Sequence, residues 1–172
     1  MTIRTDRLLL RPLCLNDLKT VHEYAGDLEN TKFMLFLPNA TEQETECFLH
    51  SVEQEWQKDH PSFFEFAIVL NDVHIGAISI SLDEMKNHGE IGWILNKKYW
   101  NRGYVSEAAK AVLDFVKNKL HLQSVIAQCD WRNIASAKVM EKIGMQLFDG
   151  NGIRTYTKRE ETARELTYKI EF

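Results

Sequence analysis

Residues 101–106 read Asn-Arg-Gly-Tyr-Val-Ser and stand at the mouth of a stretch with helical spacing. The chain has only eight glycines, so a glycine between basic and aromatic residues at that point invites a chemical explanation. The first N–H groups of a helix have no acceptor inside it and lie at the positive end of its dipole. Gly103 would let an anion approach that bare backbone closely. Such a start suits a pyrophosphate; a plain turn is the other reading of the same residues. Asn101-Arg102-Gly103 is not a Walker loop, and the dinucleotide fingerprint with its three spaced glycines is missing.

The elements that would hold this turn follow from spacing and punctuation. Residues 7–11 read as a first strand, ended by Pro12. Asn16 and Asp17 are placed to cap a helix with Leu18, Val21, His22 and Ala25 at helical spacing. The apolar run 33–38 is strand or loop. Thr41-Glu42-Gln43-Glu44 has the form of a capping box, and Phe48, Val52 and Trp56 follow at four-residue steps. Residues 64–70 and 73–80, joined by Asn71-Asp72, read as a hairpin, and a third strand lies near 90–95. The spacing predicts a helix over 103–119, with Ala108, Ala109, Val112, Leu113 and Val116 on one side. A strand over 124–129 leads to Asn133, the N-cap of a helix ending at Gly144, where glycine suits a left-handed stop. Residues 165–172 alternate as a last strand, whereas 150–164 reads as a long polar segment without structure. The strand–helix–strand unit over 90–129 implies parallel neighbours with a right-handed crossover. The expected fold is therefore a single domain over 1–172, of α/β (α+β) class. Its central sheet is mixed and mostly antiparallel, with helices on both faces.

Composition bounds the partners. With 44% apolar and 27% charged residues, the chain has ordinary globular composition. No apolar run approaches the 18 or so residues of a membrane span, so no membrane partner is expected. Net charge is −4 with basic residues dispersed, which argues against nucleic acid. The opening Met1–Asp6 has no apolar signal core, which makes the cytoplasm the expected location. Cys14, Cys47 and Cys129 are odd in number and far apart, and are expected as reduced, mostly buried thiols. The histidines are scattered without metal-ligand spacing, so no metal is expected.

Taken together, residues 90–95, 99–108 and 133–145 resemble the GNAT superfamily of N-acetyltransferases, and Thr5–Pro12 resembles the opening of its RimJ/RimL-like branch. The resemblance covers nearly the whole chain. It implies acetyl-CoA as co-substrate and direct attack by a primary amine, on a protein N-terminus or a small molecule, in a monomer or homodimer. In the family's Arg/Gln-x-x-Gly-x-Gly/Ala loop, Trp100 stands first, Gly103 fourth and Val105 sixth, so only the central glycine is kept. The resemblance places Asn101, Arg102, Gly103, Tyr104, Val105 and Ser106 around the pyrophosphate. It lays Trp93, Ile94 and Leu95 along the pantetheine arm, where two parallel strands part, and sets Asn133 and Ser136 beside that arm.

Acetyl transfer needs a neutral amine, and a free alkyl ammonium has a pKa near ~10.4, so a base is expected. Glu90 is the candidate, with His88 a weaker alternative. Many relatives carry a tyrosine acid seven residues after the motif asparagine; here that residue is Met140. By the same resemblance, Ser136 occupies the position where the RimJ/RimL-like branch carries a serine near the sulfur, and would protonate the leaving thiolate; a backbone N–H near Ile94 or Leu95 would stabilise the oxyanion. The acceptor pocket is expected between residues 31–39, with Phe33, Phe36 and Leu37, and residues 150–164. Trp93 and Tyr99 are also candidates for packing. The alternative reading is a non-catalytic coenzyme A-binding sensor or interaction module of the same fold.

Overall fold

In chain order, the computed structural model, which describes residues 1–172, contains β1 (Ile3–Arg4), β2 (Leu8–Pro12), α1 (Leu18–Ala25), α2 (Glu42–Trp56), β3 (Phe63–Leu70), β4 (Val73–Leu82) and β5 (His88–Leu95). There follow α3 (Tyr104–Asn118), β6 (Ser124–Asp130), α4 (Ile134–Lys142), β7 (Gln146–Tyr156) and β8 (Glu161–Glu171). The strands form one sheet in the order β1-β2-β3-β4-β5-β6-β8-β7, and β5–β6 is its parallel pair. Every other pairing is antiparallel; short connections join β1–β2, β3–β4, β4–β5 and β7–β8, whereas β2–β3 and β6–β8 pair across longer stretches of chain.

The sheet is covered on both faces. Against one face, Val112 and Val116 of α3 and Met140 of α4 join Phe66, Ile78 and Ile91 in the larger core. Against the other, Val21 and Tyr24 of α1 and Leu49 and Val52 of α2 pack on Ala67, Val69 and Ala77. Strand residues therefore alternate between two apolar clusters, which is why β3 and β4 are almost continuously buried. No helix is long and apolar enough to cross a membrane.

Local signals are realised unevenly. Asn71 and Asp72 adopt φ of 47° and 63°, the left-handed pair of a tight two-residue hairpin turn. Thr41 Oγ1 accepts the Glu44 N–H at 3.3 Å and caps α2. The Asp17 side chain does not cap α1. Its carboxylate instead takes two charge-assisted bonds from the Arg11 guanidinium, at 2.7 and 2.6 Å, and the Cys14 N–H at 3.1 Å, which tie it to the chain before the helix. Cys129 alone is buried; Cys14 is half-buried and Cys47 lies exposed on the outer side of α2.

The expected structureless segment 150–164 is instead the end of β7 and the start of β8, joined by a short turn. As an edge strand with one face in solvent, β7 shows no apolar alternation: Leu147, Phe148 and Ile153 are all exposed. β1, only two residues long, also escaped the periodicity.

Gly76 opposes Leu95 in the β4–β5 ladder, and a Cβ there would stand 2.4 Å from the Ile94 carbonyl oxygen. Neither backbone can retreat without breaking the ladder. Gly76→Ala is expected to lower stability by about 1–3 kcal/mol in a denaturant titration; an unchanged midpoint would contradict this packing.

Candidate active site

The parallel pairing of β5 with β6 covers only His88↔Ser124, Gly89↔Val125 and Glu90↔Ile126. Beyond Glu90 the strands part, although β5 runs on to Leu95 beside β4 and β6 runs on to Asp130 beside β8. Each strand is thus held by its outer neighbour while its inner edge is open. The phase of the open edge follows from the Asn96 N–H, which donates to Ile75 O at 2.9 Å. In an antiparallel pair the bonded residues alternate, so Ile94 spends its N–H and C=O on β4. Trp93 and Leu95 point theirs into the gap. Of the two expected oxyanion donors, geometry therefore leaves Leu95 and not Ile94. The Leu95 carbonyl is already taken, by Trp100 Nε1 at 2.7 Å and by Asn30 Nδ2 at 3.0 Å, which closes the far end of the open edge. Asn30 also accepts the Lys97 N–H at 2.7 Å. No spacing in the sequence connects Asn30 to a strand so far along the chain.

Both helices that follow the parted strands begin at the open end, because α3 leaves the carboxyl end of β5 and α4 that of β6. In open sheets this is where ligands bind. None of the N–H groups from Asn101 to Ser106 has an acceptor in the protein; the first to be satisfied is that of Glu107, on Gly103 O at 3.1 Å. Gly103 has φ of 77° and Asn101 φ of 61°, so the chain curls and turns successive amides toward one side. Val105 packs against the larger core, so its branched side chain leaves the amides clear.

The turn is braced from the amino terminus. Arg7 donates through Nε to Glu107 Oε2 at 2.7 Å and through Nη1 to the Arg102 carbonyl at 3.1 Å, and its guanidinium lies 4.6 Å from the Tyr104 ring centre. Thr5 Oγ1 donates to the same Glu107 carboxylate at 2.6 Å. Burial opposes the charge on Glu107, but these bonds hold its carboxyl below the usual range. Arg102 is exposed and carries no ion pair, and its guanidinium stands 5.9 Å from the Tyr99 ring centre. The Lys142 ammonium reaches within 4.0 Å of where a Gly103 Cβ would lie, adding positive charge.

On α4, Asn133 Oδ1 accepts the Ser136 N–H at 3.2 Å, the expected cap. The Ser136 hydroxyl is half-buried and, unlike many first-turn serines, bonds no backbone carbonyl. It is chemically uncommitted. Met140 is buried in the core, so nothing on α4 replaces the absent tyrosine.

Glu90 is exposed on the sheet face that carries α1 and α2. Its carboxyl is raised above the ordinary range by the protein bulk around it and by Glu165, with Arg154 pulling the other way. His88 is occupied with Ser124 Oγ at 2.9 Å, at the closed end of the strand pair, and so lies away from the gap. Arg154 ties the site together: Nη1 donates to Glu165 at 2.7 Å and Nη2 to the Phe33 carbonyl at 3.1 Å. Thr157 N and Oγ1 donate to Leu35 O at 3.1 and 2.7 Å. The two segments expected around an acceptor, 31–39 and 150–164, are thus joined on one side of the sheet. Trp93 and Tyr99 both pack against the larger core. Beyond Glu165, the fully buried Asp130 accepts Tyr156 Oη at 2.5 Å and three bonds from Arg132, one of them from its backbone N–H. Burial works against its charge, yet these donors hold it down to about 2.

The chain is similar to known proteins in sequence and in fold. A profile described as an acetyltransferase (GNAT) domain matches residues 7–146. The uncharacterized N-acetyltransferase YnaD of Bacillus subtilis is 34% identical over 148 residues, 85% of this chain and 83% of its own length. A crystal structure of a GNAT-family acetyltransferase from Bacillus anthracis superposes with a TM-score of 0.87 at 31% identity, over 99% of this chain and 98% of that one. RimL, a ribosomal L7/L12 alpha-N-protein acetyltransferase solved with coenzyme A, shares the fold with a TM-score of 0.84 at 15% identity, over 100% of this chain and 98% of its own. With its parted parallel strands and a profile match over most of its length, the chain belongs to the GNAT acetyltransferase family.

Proposed function

We propose that the chain transfers an acetyl group from acetyl-CoA to a primary amine, on a small molecule or a protein N-terminus, by direct attack on the thioester. The observation that carries this reading is the run of unpaired N–H groups from 101 to 106 beside the gap between β5 and β6. An anion is the natural complement of such a run, and the open edge of β5 can receive an extended amide-bearing arm. Acetyl-CoA would supply both, together with a thioester.

The residues then divide the work. Asn101, Arg102, Gly103, Tyr104, Val105 and Ser106 hold the pyrophosphate, with Arg7 and Glu107 keeping the turn in shape. Trp93 and Leu95 take the arm through their backbone, Ile94 supports them from the β4 ladder, and Asn133 fixes the start of α4. The Leu95 N–H stabilises negative charge as it develops on the thioester oxygen. Glu90 accepts the amine proton, directly or through water, and Ser136 donates to the departing sulfur.

A direct test mixes the purified protein with acetyl-CoA and a panel of amines and follows free thiol. Turnover supports the reading. Tight coenzyme binding with no thiol release from any amine would instead favour the non-catalytic module. Gly103→Ala places a Cβ in a left-handed conformation that costs about 1–2 kcal/mol, and should weaken coenzyme A about tenfold by calorimetry. An unchanged Kd would count against the turn as the anion site. Ser136→Ala should lower kcat by about tenfold or more while leaving the coenzyme Kd alone; a shift in Kd without one in kcat would assign Ser136 to binding only.

Glu90 works as a base only when deprotonated, and its pKa is raised, so kcat should climb with pH through a limb above the ordinary carboxylate range. Because Arg154 opposes that rise, Arg154→Met should move the limb upward, and Glu90→Gln should remove it at a cost of about a hundredfold in kcat. A limb that stays in place in Glu90→Gln would transfer the role elsewhere.

A further inference from the structure

Glu65 of β3 plays no part in the reaction described so far, and its surroundings are unusual. Only 8% of its surface is exposed. Its backbone carbonyl accepts the Leu13 N–H at 3.0 Å and Trp56 Nε1 at 3.1 Å, which fixes the strand. The carboxyl oxygens, by contrast, accept no bond from the protein and are not completely sealed from solvent. The neighbouring Tyr24 of α1, which feels the Glu65 charge, has a fully buried hydroxyl that is also without a partner. Two unpartnered polar groups under one helix are costly to leave unmatched.

The strand register shows what lies beside the carboxyl. Leu82 N donates to Ser62 O at 2.7 Å, so Glu65 and Ser79 form a non-hydrogen-bonded pair, the kind in which side chains lie closest. Ser79 in turn opposes Gly92 of β5. A Cβ at Gly92 would stand 3.2 Å from Ser79 Oγ, so only a bare backbone keeps this row low. Carboxyl, hydroxyl and bare backbone therefore follow one another across the sheet, on the face that carries Glu90. The row ends at β5 just past Glu90, where the pairing with β6 has stopped. From β3 to β5 is about 10 Å, two spacings of about 4.8 Å.

Resting on the acetyl-transfer reading, we propose that Glu65, with Tyr24 and Ser79, binds a second protonated nitrogen of the acceptor, about 10 Å from the β5 edge where the first amine is acetylated. An alkylammonium has three donors and no acceptor, which matches a carboxyl, a phenol oxygen and a serine oxygen. Burial alone lifts the Glu65 carboxyl to about 8, so without a partner the group is mostly the neutral acid near pH 7 and ionises when a cation arrives. The acceptor class is thus a dication: a linear diamine, or a peptide amine with a lysine side chain close by.

The test compares heptane-1,7-diamine, long enough to span the row, with heptylamine, and glycyl-lysine with glycyl-norleucine, as acceptors for the wild type and for Glu65→Gln, which preserves shape. The wild type should prefer the dication at least about tenfold in kcat/KM, and Glu65→Gln should lose about tenfold of that preference. Whether the diamine or the lysyl peptide shows the larger ratio identifies the source. Equal ratios in both proteins, or no preference in the wild type, would overturn the proposal. If Glu65→Gln fails to fold, Tyr24→Phe decides by the same ratio, which should fall. If no amine is acetylated, the transfer reading fails separately. The diamine's effect on the melting midpoint of the coenzyme A complex then decides: a rise in the wild type absent from Glu65→Gln supports the site, and no rise sinks it.

Discussion

The hydrogen-bond ladder between β5 and β6 stops at the Glu90–Ile126 pair, and the remaining features of the site depend on that stop. Strand edges with unsatisfied backbone groups are costly inside a protein and persist only where something else holds the strands. Here β4 grips β5 and β8 grips β6 along the whole of the parted stretch. The gap is a product of that outer pairing. It exposes the N–H and C=O of Trp93 and the N–H of Leu95, and both following helices begin beside it.

Three braces keep the opening in shape, and each reaches it from a distant part of the chain. Arg7 and Thr5 meet on Glu107 and hold the first turn of α3. Asn30 and Trp100 converge on the Leu95 carbonyl. Arg154 joins Glu165 to the Phe33 carbonyl, linking the β7–β8 hairpin to the segment between α1 and α2. These are charge-assisted or buried bonds, the stronger kinds in a protein interior. The amide run itself is left without partners, which leaves it free for a ligand.

Much of this was legible in residue order. Thr41 and Asn133 act as caps, Asn71-Asp72 makes the hairpin turn, Gly103 stands at the start of α3 and Gly144 takes the left-handed stop after α4, because those signals are local. The parting of the strands, implied by resemblance, needs the register to be seen. Long-range partners had no local signal. Arg7 sits in an opening that resembles the RimJ/RimL-like branch, but its grip on Glu107 spans the domain. Edge strand β7 hid because half of its side chains face solvent, and Asp17 looked like a cap until Arg11 claimed its carboxylate. Glu65 sat inside an apolar strand with nothing to mark its missing partner.

The amide resonances of the protein, followed while coenzyme A is added to saturation, test the central claim most directly. The account predicts large shifts for residues 101 to 106 and for Trp93 and Leu95, with Ile94, held in the β4 ladder, moving least along β5. Still amides at 101 to 106, or a response centred on Ile94, would contradict it.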